Sequence, residues 1–373
     1  KGRNRDMKPV DFDLLSHEAF ITENVRKTVW GQGFTHFLPL ALTQQHFGKA
    51  LPLLKTVLVE LNLTTKSKEF RPETALHVIS KLMNLMVVDL MKACDADSTF
   101  TQPVKMYETP KPIVKTKMIA SEKALTGYSQ LLHLLLSFCE LYPQLVTFAE
   151  NQLERFLHVK TSRGKQEYPN LGEFIILLFC QDKYAWDDLS VPVFRECSVR
   201  NVVWMLDPRH GNKPSLALLE SDNTSEFRLK ESFTAQQTSL RLLMFQVLFM
   251  RRLGVCDKPW KELLGDLNNS YGYPRASLTT QIVQDIKRMY AVKSFDAFLG
   301  CVGIPVPSKK YFCILLKEAI VLSKKRQYHR CPYNWNQLNV LRVEADKGFR
   351  PSADTKVGTV NEFKRGLSFF LSS

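Results

Sequence analysis

The sequence predicts an all-α protein, or one that is nearly so, built as an irregular helical bundle or α-solenoid-like stack with a less regular C-terminal tail. Apolar residues recur at three- and four-residue steps through most of the 373 residues, which is the period of an amphipathic helix. The chain contains neither a series of period-two hairpins nor an alternation of strands with helices. Its composition, 45% hydrophobic and 24% charged, excludes a disordered chain or a coiled-coil rod.

Residues 1–94 are predicted to form an N-terminal helical subdomain. Apolar periodicity predicts helices over 13–30, 35–47 and 50–62, with Pro52 near the start of the third. The clearest helix is ETALHVISKLMNLMVVDLMKA, and one of its faces carries Leu76, Ile79, Met83, Met86 and Leu90.

The helical pattern stops over residues 95–118. DADSTFTQPVKMYETPKPIVKTK contains three prolines and four lysines and few large apolar residues. This composition is typical of an extended linker or a surface loop. We therefore place a domain boundary there.

Residues 119–330 are predicted to form the main helical domain. Asn170 is the expected N-cap of the helix LGEFIILLFC, and Ser277, Ser294 and Ser308 are expected to cap later helices. The most hydrophobic helix is TAQQTSLRLLMFQVLFMRRLG, which is apolar on nearly every side from Leu240 to Leu253. Such a helix is expected in the middle of a bundle.

The last segment, residues 331–373, is predicted to be an irregular basic tail. Within it, LNVLRVE reads as a strand and the final residues as a short helix. No clean repeat of a known solenoid length is present, although helix pairs with short connections recur.

Positive charge is concentrated in the last third of the chain. The formal net charge is +14, and residues 241–373 contribute 22 Lys and Arg against 10 Asp and Glu, which gives +12. A basic region of this kind is expected where a protein meets an acidic partner, although a solvated surface kept for solubility has the same appearance.

The helix after Ser308 and the residues beyond it carry the candidate binding residues. Two lysines lie at its start, and two lysines and an arginine lie at its end. Tyr328, Tyr333 and Trp335 are interleaved with the basic residues at and beyond that end. Cations with aromatic platforms are the pattern of single-stranded nucleic acid binding, and the same cations could hold an acidic protein. The candidates are Lys309, Lys310, Lys324, Lys325, Arg326, Tyr328 and Arg330.

No motif in the chain identifies a catalytic reaction or a bound cofactor. GQG at 31–33 is too short for a dinucleotide fingerprint, and neither a P-loop nor a Gly-x-Ser-x-Gly elbow is present. His329 and Cys331 with the distant Cys301 or Cys313 could assemble a metal site, but structural zinc sites usually contain a tight cysteine pair. We therefore assign no catalytic residue, metal ligand, cofactor or small-molecule ligand, and favour a non-enzyme over an enzyme whose site is built from scattered residues.

Cysteine usage and hydropathy predict the compartment. The eight cysteines are spread singly, which favours a reducing environment, and we expect a cytoplasmic or nuclear protein. No apolar run approaches the roughly 18 residues of a membrane span, so no membrane contact is predicted. The chain begins with Lys1, which is expected of a piece of a longer protein.

Several stretches between residues 121 and 330 resemble a helical region of large eukaryotic multidomain proteins that also carry ubiquitin-conjugating or RING-type modules. They are GYSQLLHLLLSFCELYPQL, YPNLGEFIILLFCQDKYAWDDL, FRECSVRNVVWMLD, SLRLLMFQVLFM and VPSKKYFCILLKEAIVLSKKRQYHR. The resemblance implies an accessory or scaffold part of a ubiquitin-system protein. Neither a His-Pro-Asn with an active-site Cys nor a RING cysteine series is present, so no functional residue is carried over.

The function expected from these observations is a non-catalytic helical interaction or scaffold region of a larger intracellular protein. It would dock a protein partner through helix faces and the basic C-terminal surface. The alternative is binding of RNA or single-stranded DNA through the basic last third.

Overall fold

A computed structural model describes residues 12–16, 36–40, 44–62, 69–96, 113–206, 213–217, 225–254, 258–329 and 333–350. Helices make up nearly all of the regular structure in these ranges, which confirms the predicted all-α class. The α-helices are α1 Gln44–Leu61, α2 Pro72–Ala96, α3 Ile113–Leu141, α4 Gln144–His158, α5 Leu171–Ile175, α6 Trp186–Leu206, α7 Glu226–Arg252, α8 Trp260–Asn269, α9 Leu278–Tyr290, α10 Phe295–Val302, α11 Lys309–Lys325 and α12 Trp335–Ala345. Short 3-10 helices lie at Lys160–Arg163, Ile176–Cys180 and Pro214–Ala217.

Two short strands replace parts of the first two predicted helices. β1 Phe12–Ser16 and β2 His36–Leu40 pair in parallel, with Phe12 opposite His36. The helix predictions over 13–30 and 35–47 are therefore wrong at these residues. The error has a physical reason, because a short apolar run fits a strand as well as it fits one turn and a half of helix.

The predicted linker and tail are also more helical than expected. Helix α3 begins at Ile113, so residues 113–118 of the predicted linker are helical, and residues 97–112 lie outside the described ranges. The strand predicted at LNVLRVE is wrong, since these residues lie in α12. Asn334 and Gln337 form a capping box at the start of α12, and this local signal outweighs the strand preference of Val340 and Val343.

The helix caps predicted at Asn170, Ser294 and Ser308 are confirmed. The Asn170 side chain accepts hydrogen bonds from the backbone N–H groups of Gly172 and Glu173, and Ser294 and Ser308 cap α10 and α11. Pro52, by contrast, lies inside α1 rather than near its start, because α1 begins eight residues earlier than Pro52, at Gln44. The helix there lacks one backbone hydrogen bond.

The chain divides into two compact units, each made of three separate segments. Unit 1 consists of Lys1–Lys160, Asn170–Trp186 and Phe245–Tyr290. Unit 2 consists of Thr161–Pro169, Asp187–Met244 and Ala291–Ser373. The segments of the two units alternate along the chain. The sequence instead predicts consecutive domains at residues 1–94 and 119–330. Periodicity reports which residues are buried but not which distant helix buries them, so it could not group the segments in this way.

Unit 1 is organised around α3. This helix packs along α2 and also contacts α8 and α9. Its buried residues Leu131, Leu135 and Phe138 are completely shielded from solvent. Each such side chain contributes roughly 1.5–3 kcal/mol to folding, so α3 supplies much of the apolar core of this unit.

Unit 2 has a compact apolar cluster and a run of aromatic contacts. The cluster brings together α6, α11, α12 and the 3-10 helix Pro214–Ala217. The ring of Phe295 lies 5.4 Å from that of Phe233 and 5.5 Å from that of Phe312, which links α7, α10 and α11. These contacts hold α11 in place, and α11 carries most of the candidate binding residues.

One helix of the described residues, α2, is long and apolar enough to cross a membrane by length and composition. Within its most apolar 18-residue window, 67% of the residues are buried inside the protein. The pair Ser121–Leu141 and Gln144–His158 passes the same test jointly but is bent by 107°. A buried core helix of a soluble protein has the same length and composition as α2, so this finding is weak evidence for a membrane span.

Candidate functional site

The predicted binding residues lie on α11 and just after it, in unit 2. Lys310, Lys324 and Lys325 are exposed, and Lys309 forms an ion pair with Glu226 of α7. Arg326 is the C-cap residue of α11, and Tyr328 lies half-buried two residues later. Arg330 lies outside the described residues.

A stripe along one side of α11 alternates lysine with aliphatic residues. Its members, at steps of four and three residues, are Lys310, Ile314, Lys317, Val321 and Lys324; all are exposed except Lys317, which is half-buried. We call this stripe the α11 face. Residues at these steps lie on one side of a helix. Ile314 and Val321 are 44% and 63% exposed, so the stripe offers apolar as well as positively charged surface.

Arg326 extends the positive charge from the end of α11 into the protein. Its Nη1 atom lies 2.6 Å from Oε2 of Glu196 in α6, and the other carboxylate oxygen, Oε1, accepts a 2.8 Å hydrogen bond from Nε of Arg200. The Glu196 side chain is only 2% exposed. Both oxygens of this buried carboxylate are thus used by guanidinium groups that are themselves mostly shielded.

Arg200 also holds the loop that precedes α5. Its two terminal nitrogens donate to the backbone carbonyl oxygens of Tyr168 at 2.6 Å, Pro169 at 3.2 Å and Arg163 at 3.3 Å. The buried carboxylate orients Arg200, and Arg200 in turn fixes the course of residues 163–169. Charge-assisted hydrogen bonds of this kind are stronger than neutral ones.

Lys165 of that loop sits against Tyr328. The backbone N–H of Lys165 donates to the Tyr328 hydroxyl oxygen at 2.6 Å, and its Nζ lies 4.7 Å from the centroid of the Tyr328 ring. The Arg326 guanidinium lies 6.0 Å from the same ring. The Tyr328 ring therefore lies next to two cations of the protein itself, and its role in stacking on a base stays a prediction.

Two further arginines complete the group. Arg195 of α6 donates from Nε and Nη2 to the Tyr311 hydroxyl oxygen and lies 3.8 Å from Glu318. Arg163 is half-buried on the loop. We call Glu196 with Arg163, Lys165, Arg195, Arg200 and Arg326 the Glu196 cluster.

The pKa values of two of these groups reflect how closely the positive charges are spaced. Burial lowers the pKa of Arg163, and the neighbouring Arg195 and Arg326 lower it further, while Glu196 opposes them. Burial also lowers the pKa of Lys165, and Arg200 adds to the effect against Glu196. Each cation would therefore be stabilised by a nearby negative charge.

The Glu196 cluster places several basic side chains beside two carboxylates. Arg200 and Arg326 pair with Glu196, and Arg195 lies 3.8 Å from Glu318. Glu167 is exposed on the same loop.

Of the Glu196 cluster and the tyrosine beside it, the sequence predicted only Arg326 and Tyr328 as binding residues. Glu196 and Arg200 stand four residues apart in FRECSVR, the spacing of an ion pair on one helix, and this was an available signal. The approach of the loop residues Arg163 and Lys165 had no signal in the sequence, because it depends on how α6, α11 and the loop pack.

Other groups that could carry chemistry have structural surroundings. The described residues contain no group of three or more His, Cys, Asp and Glu placed to hold a metal ion. Nδ1 of His329 lies 2.8 Å from the Ser323 hydroxyl, and Cys331 lies outside the described ranges. Cys301 is exposed, whereas the other described cysteines are buried, as expected of small apolar residues; they are Cys94, Cys139, Cys180, Cys197 and Cys313.

Comparison of the chain with protein-family models, with curated proteins and with solved structures finds no significant match. Functional assignment therefore depends on the geometry of the Glu196 cluster and the α11 face.

Proposed function

We propose that this chain is a non-catalytic interaction region that docks an acidic amphipathic segment of a protein partner on the α11 face. The observation that carries the proposal is the alternation of lysine and exposed aliphatic residues along one side of α11. A helix with carboxylates and apolar residues at matching steps would complement this surface in both charge and hydrophobicity. The link to the ubiquitin system rests on the sequence resemblance alone and remains part of the proposal.

The arrangement of the aromatic residues favours a protein over a nucleic acid. Tyr328 holds Lys165 and Arg326 on its ring, and Tyr333 packs against the apolar cluster of unit 2. Single-stranded nucleic acid binding relies on exposed rings between the cations. The exposed apolar residues of the α11 face are instead aliphatic, and a protein helix is the better match for them.

The test uses a labelled synthetic helix in which Glu and Leu repeat at the steps of the α11 face. We expect binding that weakens with salt and falls about tenfold in the triple variant Lys310→Glu, Lys324→Glu, Lys325→Glu, since each rim charge contributes a modest part of the attraction. The variant changes two lysines of the α11 face and Lys325, the exposed lysine next to it. The matched control is Lys230→Glu, Lys293→Glu, Lys347→Glu, which changes three exposed lysines of unit 2 outside the α11 face and gives the same net charge.

The outcome can contradict the proposal in two ways. Equal loss of binding in the two triple variants would mean that only the net charge of +14 attracts the probe. Tighter binding of a labelled single-stranded RNA, lost selectively in the α11 variant, would support the nucleic-acid function instead. A probe with Ser in place of Leu measures how much the apolar contacts contribute to binding. We expect the Leu and Ser probes to bind equally well to the variant Val321→Ser, because it lacks the apolar side chain that Leu would contact.

A further inference from the structure

We infer that Glu318 is a specificity-determining residue beside the α11 face, and that the docked segment of the partner carries a lysine or arginine opposite it. The inference rests on the proposed function, because it specifies how charge is distributed around the apolar stripe of the docked helix. The partner has acidic residues along one edge of that stripe and a basic residue on the other edge. Docking then depends on the arrangement of the partner's charges and not only on their sum.

Glu318 borders the two exposed aliphatic residues of the α11 face. Ile314 precedes it by four residues and Val321 follows it by three, and residues at these steps are neighbours on the surface of a helix. Lys317 borders the same two residues from the opposite side, because consecutive residues of a helix point about 100° apart. The apolar part of the α11 face therefore has a positive edge and a negative edge. The next charged residue on the negative edge is Lys325, two turns or about 10 Å farther along the helix.

The carboxylate of Glu318 is available to a partner. Its side chain is 60% exposed, and its oxygen Oε2 lies 3.8 Å from Nη1 of Arg195, a distance and exposure at which an ion pair contributes little. Arg195 is held by another group, since its Nε and Nη2 atoms donate to the Tyr311 hydroxyl oxygen at 3.1 and 2.6 Å. No lysine or arginine stands three or four residues from Glu318, so α11 itself provides no cation for it.

The lysines of the other edge are open to a partner as well. Lys310, Lys317 and Lys324 follow one another at steps of seven residues, and none of them forms an ion pair within the described part of the chain. A carboxylate of the partner is attracted on this edge, whereas Glu318 repels a carboxylate in the middle of the opposite edge. Attraction on one side combined with repulsion on the other is a general means of selecting one partner over another.

The effect of Glu318 has the opposite sign to that of net charge. The chain carries a net charge of +14, so long-range attraction alone favours the probe with the most carboxylates. Glu318 instead favours a cation at the position opposite it, although that cation lowers the negative charge of the probe. Probes that differ at this one position therefore separate the two effects.

The experiment uses three forms of the labelled helical probe. All have Leu at the apolar steps, Glu along one edge of the Leu stripe and Gln along the other edge, and the central residue of the Gln edge is Lys, Gln or Glu. At low ionic strength we expect the Lys form to bind about threefold more tightly than the Gln form, and the Glu form about threefold less tightly. Effects of this size are those of one exposed ion pair or one exposed like-charge contact.

Glu318→Gln and Glu318→Lys are the site variants. The first should abolish the preference for the Lys form, and the second should reverse the order, so that the Glu form binds most tightly. Glu344→Lys is the matched control: it changes an exposed glutamate of α12, gives the same net charge as Glu318→Lys and should keep the order seen with the wild-type protein. Circular dichroism of each variant verifies that the helices remain.

The outcomes separate this inference from the proposed function. If the three forms bind alike, or the Glu form binds most tightly to the wild-type protein, while the triple lysine variant of α11 weakens all of them, docking stands and the role of Glu318 is wrong. A preference for the Lys form that persists in Glu318→Gln also overturns the inference, because another group then causes it. If the preference depends on Glu318 but the triple variant binds normally, Glu318 selects the partner and the docking role of the lysines is wrong. Absence of binding by every form overturns both.

Discussion

Nη1 of Arg326 lies 2.6 Å from Oε2 of Glu196, although the two residues are 130 positions apart in the chain. The contact joins the end of α11 to the middle of α6. Arg200 uses the other oxygen of the same carboxylate, so one buried negative charge holds together two helices and the loop 163–169. This arrangement makes Glu196 the residue on which the geometry of the cluster depends.

Replacing Glu196 with glutamine should therefore destabilise unit 2. The substitution keeps the shape of the side chain but removes the negative charge that Arg200 and Arg326 share. The two arginines then lie close to each other and to the other basic residues of the cluster with no carboxylate between them. Breaking a buried ion pair from one side typically costs about 3–5 kcal/mol, and we expect about 3 kcal/mol here because both arginines retain some solvent contact. Urea unfolding followed by circular dichroism measures the change in the free energy of unfolding.

Glu318→Gln is the control for this prediction. Glu318 also faces an arginine, Arg195, but at 3.8 Å and with a side chain that is 60% exposed. Ion pairs in such surroundings contribute little, so the free energy of unfolding should change by less than about 0.5 kcal/mol. Equal effects of the two substitutions would show that Glu196 does not organise the cluster.

A second prediction concerns Gly172, at the start of α5 in unit 1. A Cβ at this position would lie 2.6 Å from Cδ of Gln246 and closer still to Oδ1 of Asn84, two buried residues that share a 2.8 Å hydrogen bond. Gly172→Ala should therefore cost about 2 kcal/mol or more, since it forces these amides apart inside the core. The expected result is a lower midpoint of urea unfolding.

Gly265→Ala should stabilise the protein, whereas Gly172→Ala should destabilise it. Gly265 lies inside α8, also in unit 1, and a Cβ there would meet nothing within 4 Å. Alanine is favoured over glycine in a helix interior by roughly 0.5–1 kcal/mol, so Gly265→Ala should raise the stability. Destabilisation of similar size at both positions would contradict the proposed packing around Gly172.

A third prediction is a pH dependence caused by His133 in α3. Burial lowers the pKa of His133 below the ordinary value of 6.5, and the hydrogen bond of Nε2 to Asn268 opposes this only in part. The unfolded chain then binds a proton at a higher pH than the folded protein does. The contribution of neutral, buried His133 to stability is therefore fully present above about pH 6.5, the pKa in the unfolded chain. It is lost as the pH falls toward the lower pKa of His133 in the folded protein.

Unfolding experiments across this range should show the effect. The free energy of unfolding of the wild-type protein is expected to decrease from about pH 7.5 to about pH 5.5, with a shallower slope in His133→Gln. Glutamine can still donate to the Asn268 oxygen but does not titrate. Parallel slopes for the two proteins would mean that His133 titrates alike in the folded and unfolded states.

The sequence predicts the fold class well because burial leaves a periodic trace in each long helix. Most of the apolar residues between Leu240 and Leu253 are buried, as the composition of this stretch implies, and Phe312, Leu315 and Leu316 form the buried side of α11. The failures concern short or locally ambiguous segments. β1 and β2 are five residues each, too short for a period to be recognised.

The candidate site was predictable only in part, for a related reason. A run of lysines ending in Arg326 is visible in the sequence, but the partner that gives Arg326 its orientation is Glu196, in a different helix. Glu196 alone looks like any acidic residue of an amphipathic helix. Its burial, and the approach of Lys165 to Tyr328, result from tertiary packing, which a pattern of residue types does not encode.

The last prediction concerns Arg342 of α12, the helix that was expected to be a strand. Its side chain is completely buried; Nη2 donates to the Ser225 hydroxyl at 2.8 Å and lies 3.3 Å from Oδ2 of Asp346. The guanidinium also lies 5.4 Å from the ring centroid of Phe227 and 5.0 Å from that of Phe349. This one residue thus ties α12 to the start of α7.

Arg342→Ala should detach α12 from unit 2. The substitution removes the hydrogen bonds and both cation–ring contacts and leaves Asp346 without its arginine, at an expected cost of about 3 kcal/mol. Glu344→Ala, at an exposed position of the same helix, is the matched control and should change the stability by less than about 0.5 kcal/mol. Hydrogen exchange provides the decisive measurement: amides of residues 338–345 should lose protection in Arg342→Ala and keep it in Glu344→Ala. Unchanged protection in Arg342→Ala would mean that α12 is held by its buried apolar residues, Leu338 and Val340, without the help of Arg342.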